Sequence, residues 1–288
     1  MEYVFAGFIM AELILLPLAL KWELDMKTVF LWGMVSGISA GIVTNVVFFF
    51  FAMESFYRMT MIVLLIIFSS AAALLIRFYR DDEREAPPSG NLIVAPADGR
   101  IKYIRRIAGA QPPCSSKGKE TVQLGPPLSA ITHVSGGYLI GVGMTFLDVH
   151  ITRSPIEGKI VHLEHIKGSF FSLKRPEAPF RNERMTGIIE NDNERIGLVH
   201  IASRLVRRIV SYAQPGDQLR IGQKIGMIRF GSQVDILIPD SPGLSILVST
   251  GDKVRAGESV IATFACQERE NTPALEHSLR NCCFERRG

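Results

Sequence analysis

Three short segments of the 288-residue chain carry the residue types of a nucleophilic site. Asp98 lies in A-P-A-D-G-R, His150 in F-L-D-V-H-I-T-R-S-P, and Ser232 in R-F-G-S-Q-V-D. A neutral hydroxyl needs a base to become a nucleophile, and the base needs an orienting acid. Gly231 gives the backbone the freedom that lets the next hydroxyl reach the preceding carbonyl carbon. Each residue alone is more often structural, as a turn, a core histidine or a bulge, so only the combination indicates chemistry.

In this order, the three motifs resemble the phosphatidylserine decarboxylase family in its short form, which includes archaetidylserine decarboxylases. The resemblance covers roughly Phe78 to Phe264 and includes the sequence R-x-x-R-D-D-E-R, which ends at Arg84. It implies a carboxy-lyase that converts the serine head group of a membrane phospholipid, phosphatidylserine or a close relative, to ethanolamine with release of CO2.

The resemblance also implies self-cleavage of the Gly231-Ser232 bond. Ser232 attacks this peptide, forms an ester by an N-to-O acyl shift, and eliminates to leave a covalent pyruvoyl cofactor, which acts as an electron sink. The family pattern places the role of the base on His150 and that of the orienting acid on Asp98. It implies a complex between the large and small cleaved chains and no metal, and it leaves a homo-oligomer open.

Two departures from the longer bacterial and mitochondrial members stand near these motifs. Those members have a Leu-Gly-Ser-Thr type cleavage motif, where this chain has Phe230 and Gln233 around Gly-Ser. They also have a second histidine three residues before the one that matches His150, and here that position is Leu147. Cleavage is still expected because Gly-Ser is kept, but the group that reprotonates the product carbon stays open, with His150 a candidate for both tasks.

The residues that must hold this site at a lipid surface come first in the chain. Residues 1–80 are expected to form a membrane anchor of two or three hydrophobic helices, because uncharged runs from Thr28 to Ala52 and from Met59 to Ile76 can each cross a hydrocarbon core of ~30 Å. The apolar stretch Tyr3 to Leu20 contains Glu12, so a third span, an interfacial helix and a packed helix remain open. Three arginines between residues 77 and 84 predict a cell-membrane protein with its C-terminal part in the cytoplasm.

The remainder predicts a mainly β (α+β) catalytic domain. Residues 81–90 are charged and then rich in Pro and Gly, which indicates a linker. Residues 91–266 alternate short apolar runs with turns, which predicts strands at 92–95, 138–146, 156–165, 196–201, 234–238 and 260–264. The main helical candidate is Ile201 to Tyr212, where apolar residues recur at helical spacing. Residues 267–288 are expected to be a C-terminal tail.

Two near-repeats refine this domain. Residues 95–101 resemble 154–160, and 216–222 resemble 251–257, with acids, bases and glycines in the same order. Repeated turn-and-strand units favour a quasi-symmetric β structure, and the G-D-x-[LV]-x-x-G unit is also used at turns of lipoyl- and biotinyl-type hybrid barrels. The predicted fold is therefore hybrid-barrel-like with internal quasi-repeats.

The sequence also bears on three other classes of function. A membrane-tethered carrier or adaptor of the lipoyl or biotinyl type needs a lysine at a hairpin tip between small or apolar neighbours, and neither Lys224 nor Lys253 has that setting. A catalytically dead scaffold would have lost Asp98, His150 or Ser232. A net charge of +4 without an aromatic and basic stripe argues against nucleic acid as a partner. The four cysteines lack zinc-site spacing, which favours free thiols.

Overall fold

Three helices precede a β-domain in the computed structural model. The structure describes residues 2–22, 24–51, 54–88, 91–107, 114–117, 120–123, 136–145, 147–168, 183–192, 194–202, 209–228 and 233–264. The helices are α1 (Glu2–Trp22), α2 (Met26–Phe50) and α3 (Ser55–Phe78). Each of them is long and apolar enough to cross a membrane. The expected tail, residues 267–288, lies outside the described residues.

Helices α1 and α2 pack closely because small residues line their contact. A Cβ atom at Gly37 of α2 would lie 2.4 Å from the carbonyl oxygen of Gly7 in α1, so the two backbones touch there. Glu12 is buried in the same contact, against Gly33. The stretch that the sequence left open is a helix that packs along α2 and is also a candidate membrane span. Asp25 caps the start of α2 by accepting a hydrogen bond of 2.9 Å from the Thr28 amide.

The described residues of the β-domain form sixteen strands, in agreement with the predicted mainly β class. They are β1 (Leu92–Val94), β2 (Gly99–Ile107), β3 (Cys114–Lys117), β4 (Glu120–Gln123), β5 (Gly137–Gly143), β6 (Ile151–Arg153), β7 (Gly158–Ile166), β8 (Arg184–Glu190), β9 (Arg195–Ile201), β10 (Ile209–Ser211), β11 (Gln218–Leu219), β12 (Lys224–Ile228), β13 (Gln233–Pro239), β14 (Leu244–Ile246), β15 (Lys253–Val254) and β16 (Val260–Phe264). Each of the six apolar runs predicted as a strand overlaps one of them.

Eight of these strands form one antiparallel sheet that curls into a half-barrel, in the order β11-β7-β8-β9-β13-β5-β2-β15. Smaller sheets, β1-β16-β14, β10-β12-β6 and β3-β4, complete the described strands. Side chains alternate between faces along a strand, so Val234, Ile236 and Ile238 of β13 enter the larger apolar core. Leu237 belongs to a second apolar cluster with Leu139.

The predicted helix from Ile201 to Tyr212 is wrong at both of its ends. Ile201 is the last residue of β9 and pairs with Gln233, and residues 209–211 form β10, where Ile209 pairs with Ile228. Residues 203–208 lie outside the described part. Apolar residues at helical spacing were a local signal, and pairing with strands that are distant in sequence overrides such a signal.

Candidate active site

The predicted site residues lie on three separate connections of the β-domain. Asp98 is the last residue before β2, His150 is the last before β6, and Gly231 and Ser232 lie between β12 and β13. Gly231 and Ser232 themselves fall outside the described residues. The structure therefore locates the two predicted partners of Ser232 and both strands that flank the predicted cleavage bond.

Strand pairing brings these connections together. The amide of Ile228, the last residue of β12, donates a hydrogen bond of 3.1 Å to the carbonyl of His150. On the other side of β6, the Arg153 amide donates a hydrogen bond of 2.9 Å to the carbonyl of Pro96, two residues before Asp98. The strand β6 thus joins the Asp98 loop to the chain that leads into Gly231 and Ser232.

The turn at Asp98 requires the glycine that follows it. Gly99 has a φ of +147°, which L side chains rarely adopt, and a Cβ atom there would lie 2.3 Å from the carbonyl oxygen of Gly143. The Asp-Gly pair of the sequence motif is therefore a structural necessity where β2 begins against β5. It places Asp98 at the base of the strand with its side chain buried.

The imidazole of His150 is fully buried and held at its edge and its face. Its Nδ1 atom lies 2.8 Å from the carbonyl oxygen of Asp148, and its ring lies 4.2 Å, centroid to centroid, from the ring of Phe78 at a tilt of 38°. A carbonyl oxygen only accepts hydrogen bonds, so the neutral ring carries its proton on Nδ1 and its lone pair on Nε2. Burial lowers the pKa of His150 to about 4, against smaller opposing effects of Asp148 and Asp98. At neutral pH the ring is an uncharged base.

Arg84 holds Asp98, a contact that reasoning from the sequence missed. Its two terminal nitrogens lie 2.5 and 2.9 Å from the two carboxylate oxygens of Asp98, and the Ala256 amide donates a further hydrogen bond of 2.8 Å. The hydrogen bond at the Nδ1 atom of His150 is made by the Asp148 carbonyl, so Asp98 acts on that ring through its charge. The R-x-x-R-D-D-E-R motif includes Arg84 and was part of the family resemblance, but it assigned no role to this residue.

The stretch predicted as a linker is bound to the β-domain along its first residues. Lys224 lies 2.5 Å from the carboxylate of Asp81. The buried side chain of Arg153 donates hydrogen bonds to the carbonyls of Asp82, at 2.7 Å, and Gly222, at 2.9 Å. Burial lowers the pKa of Arg153, and the nearby charge of Arg84 adds to this effect. The exit from α3 is therefore fixed on the domain that carries the site.

A buried hydrogen-bond network begins directly after Ser232. The side-chain amide of Gln233 donates to the Tyr103 hydroxyl at 3.0 Å and to the Asp235 carboxylate at 2.7 Å. The Tyr103 hydroxyl donates to the other carboxylate oxygen of Asp235 at 2.6 Å. Gln233, one of the departures noted in the sequence, is thereby held by its side chain as well as by the pairing of β13 with β5 and β9.

His200 and His165 have partners other than the predicted site residues. His200 is buried in the half-barrel, where its Nε2 atom lies 3.1 Å from the Thr152 hydroxyl, and burial lowers its pKa to about 4. The Nε2 atom of His165 lies 2.8 Å from a carboxylate oxygen of Glu183. Within the described ranges, no group of three or more His, Cys, Asp or Glu side chains could hold a metal ion.

Comparison with known proteins gives matches across most of the β-domain. A family model described as phosphatidylserine decarboxylase matches residues 71–262. A protein of Methanothermobacter thermautotrophicus named as an archaetidylserine decarboxylase proenzyme is 37% identical over 186 residues, which cover 63% of this chain and 77% of that protein. A protein of the same name from Methanocaldococcus jannaschii is 38% identical over 173 residues, 60% of this chain and 81% of its own length.

Proposed function

The chain belongs to the phosphatidylserine decarboxylase family, and from that membership we propose that it is a self-processing, pyruvoyl-dependent decarboxylase of a serine phospholipid. The observation that carries this proposal is the hydrogen bond from the Ile228 amide to the His150 carbonyl. It joins the predicted base to the strand that ends four residues before Ser232.

In the proposed cleavage, His150 accepts the hydroxyl proton of Ser232 while the hydroxyl oxygen attacks the carbonyl carbon of Gly231. The ester C–O bond forms and the peptide C–N bond breaks as the proton on His150 passes to the departing Ser232 nitrogen. Loss of the Ser232 α-proton then breaks the bond between Cβ and the ester oxygen, which leaves a carboxylate on Gly231. Hydrolysis of the remaining enamine by one water releases ammonia and leaves a pyruvoyl group at the start of the small chain.

The described surroundings of His150 suit such a reaction. A neutral, buried imidazole with its lone pair on Nε2 can take a proton, and the water-excluded setting strengthens the effect of the Asp98 charge on the ring as it becomes positive. The pyruvoyl ketone supplies the electron sink for loss of CO2 from the substrate's serine head group. The chain's own residues bind and orient the substrate, and they accept and donate the protons of the reaction.

The three apolar helices support a location at the membrane. A diacyl lipid or its isoprenoid relative stays in the bilayer, so an enzyme that acts on its head group gains from an anchor beside the site. If the three apolar helices all cross the membrane, the arginines that follow α3 support, by the positive-inside rule, a β-domain in the cytoplasm. The near-repeats support a hybrid-barrel-like, quasi-symmetric domain: β15 pairs with the start of β2 as β11 pairs with the start of β7.

The test is the state of the purified chain. Self-cleavage leaves chains of 231 and 57 residues, the smaller one blocked by a ketone at its first residue. Ser232→Ala should remain a single inactive chain. Ser169→Ala, at the other Gly-Ser pair of the sequence, is the matched control and should be cut as the parent is. Active parent should release CO2 from vesicles that contain a carboxyl-labelled serine phospholipid. An active protein with an intact, unmodified Ser232 would refute the proposal, and an uncut, inactive parent would favour the carrier alternative.

A further inference from the structure

One short stretch of chain contacts both predicted site residues that the structure describes. We name Phe78 to Arg84 the exit segment, because it leads from the end of α3 into the β-domain. At its start, the Phe78 ring packs on the His150 imidazole. At its end, Arg84 binds both carboxylate oxygens of Asp98. A base and an acid that stand 52 positions apart in sequence thus depend on a single stretch that follows an apolar helix.

Phe78 is one of three buried residues of α3, and the other two, Ile62 and Ile66, belong to an apolar cluster with residues of α1 and α2. Many large apolar residues of α3 are exposed, as Phe68 is at 76%, whereas Phe78 is completely buried and lies against His150. The Tyr79 amide closes the helix by donating to the Leu75 carbonyl at 2.9 Å, so Phe78 is the last helical residue. Its ring covers one face of the imidazole, whose edge is fixed by the Asp148 carbonyl. Together these contacts set the rotation of the His150 ring.

The exit segment is held at several points between Phe78 and Arg84. Asp81 forms an ion pair with Lys224. The Asp82 carbonyl accepts a hydrogen bond from Arg153, which lies three residues after His150 in the chain. The Arg84 guanidinium also donates to the Ala256 carbonyl at 2.9 Å. The end of α3 therefore cannot shift relative to His150 without breaking buried polar contacts, which are costly to lose.

We propose that the exit segment positions the site for self-cleavage, with Phe78 as the positioning residue for the His150 imidazole and Arg84 as that for the Asp98 carboxylate. This inference rests on the proposed function and goes beyond it. An anchor that only brings the enzyme to its lipid has no part in cleavage, because that reaction takes place within the chain and needs no lipid. Here the last turn of the third apolar helix is part of the apparatus that activates Ser232.

The contact between Phe78 and His150 also predicts a change in the pH profile of self-cleavage, which a purely structural role of Phe78 would not produce. The charged groups that act on the imidazole are Asp148, beside it in the chain, and Asp98, which faces Arg84; Phe78 adds no charge. Burial, to which the Phe78 ring contributes, lowers the pKa of His150 to about 4. Removal of the ring admits water, so the pKa rises toward its ordinary value and the acid limb of self-cleavage moves to higher pH.

The experiment follows self-cleavage of the full chain, made by cell-free synthesis with lipid vesicles, by denaturing gel over time between about pH 5 and pH 8. The variants are Phe78→Ala, Phe78→Tyr and the matched control Phe68→Ala, which removes an exposed phenylalanine from the same helix. Phe78→Ala should slow cleavage on the order of 10²-fold and shift the acid limb upward, because small misplacements of a reacting group have effects of that size. Phe78→Tyr keeps the ring and should slow cleavage and shift the acid limb less than Phe78→Ala does, whereas Phe68→Ala should behave as the parent does.

The other possible outcomes also test the inference. If Phe78→Ala fails to fold, as judged by protease resistance, Phe78→Leu keeps most of the volume without the ring and is read by the same pH profile. Cleavage of these variants at the parent's rate, with the parent's pH profile, overturns the inference and leaves the proposed function intact. A parent that is never cut, or a Ser232→Ala chain that is cut, overturns the proposed function and this inference with it.

Discussion

Tyr103 on β2 reaches across β5 to donate a hydrogen bond of 2.6 Å to Asp235 on β13. The intervening residue on β5 is Gly141, which pairs with both of them, and a Cβ atom there would lie 2.6 Å from the Tyr103 ring. Because Gly141 has no side chain, Tyr103 of β2 can reach across β5 and form a hydrogen bond with β13. Because Asp235 also binds Gln233, this reach extends to the residue after Ser232.

Tyr103→Phe should weaken this network and slow self-cleavage. Loss of one hydrogen bond to a buried carboxylate costs about 1–3 kcal/mol, and looser placement of Gln233 leaves the neighbouring bond less well aligned. The measurement is the cleavage time course together with the thermal midpoint of the uncut Ser232→Ala chain. Tyr212→Phe, at a half-exposed tyrosine, is the control. A Tyr103→Phe chain that is cut as quickly as the control would separate the network from cleavage.

Arg84→Ala should destabilise the chain far more than the loss of a surface arginine. It leaves the buried Asp98 carboxylate without its cation, a change that costs about 3–5 kcal/mol. Arg80→Ala removes a partly exposed ion pair with Asp82, for which about 0–1 kcal/mol is expected. Both are measured by thermal unfolding on the Ser232→Ala background. Adding Asp98→Asn to Arg84→Ala should restore part of the loss, and a double variant no more stable than Arg84→Ala would contradict an uncompensated charge.

Lowering the pH should destabilise the folded protein over a defined pH range. His150 and His200 each have a pKa lowered to about 4 by burial, so between about pH 6.5 and pH 4 the unfolded chain binds more protons than the folded one. The free energy of unfolding therefore falls as pH falls through this range, by up to about 3 kcal/mol for each histidine, and the full contribution is present above it. Thermal midpoints of the Ser232→Ala chain across the range measure the effect.

His200→Leu separates the two histidines. The variant should lose roughly half of this part of the pH dependence, because His150 then remains as one of the two buried histidines that the structure describes. Met185→Leu alters the residue paired with His200 across β8 and β9 and keeps both histidines, so its slope should match the parent's. An unchanged slope in His200→Leu would show that His200 does not contribute.

Gly37→Val should disrupt the packing of α1 on α2. The new side chain meets the Gly7 carbonyl oxygen and the Cα atom of Phe8, both on the backbone of α1, and overpacking of this kind costs about 1–3 kcal/mol. Ser39→Val, on the exposed side of the same helix, is the control. Thermal unfolding in detergent compares the two, and equal midpoints would mean that this contact contributes little to stability.

The sequence by itself determined the features that depend on short stretches of residues. Apolar runs long enough for a bilayer predicted helices in the first eighty residues, and alternating runs between turns predicted the strands of a mainly β domain. The ordered motifs around Asp98, His150 and Ser232 identified the family, which the comparisons confirmed. The roles of these residues and the cleavage at Gly231-Ser232 stay predictions.

Only the tertiary structure decided which distant groups meet. The tertiary fold placed Arg84 on Asp98 and Phe78 on the imidazole of His150. It also made strands of both ends of the stretch predicted as a helix from residue 201 to 212. Hydrophobic periodicity reflects the secondary structure that a residue's neighbours in sequence prefer. Contacts between residues tens of positions apart depend instead on how the strands pair and on what must be neutralised or covered once a group is buried.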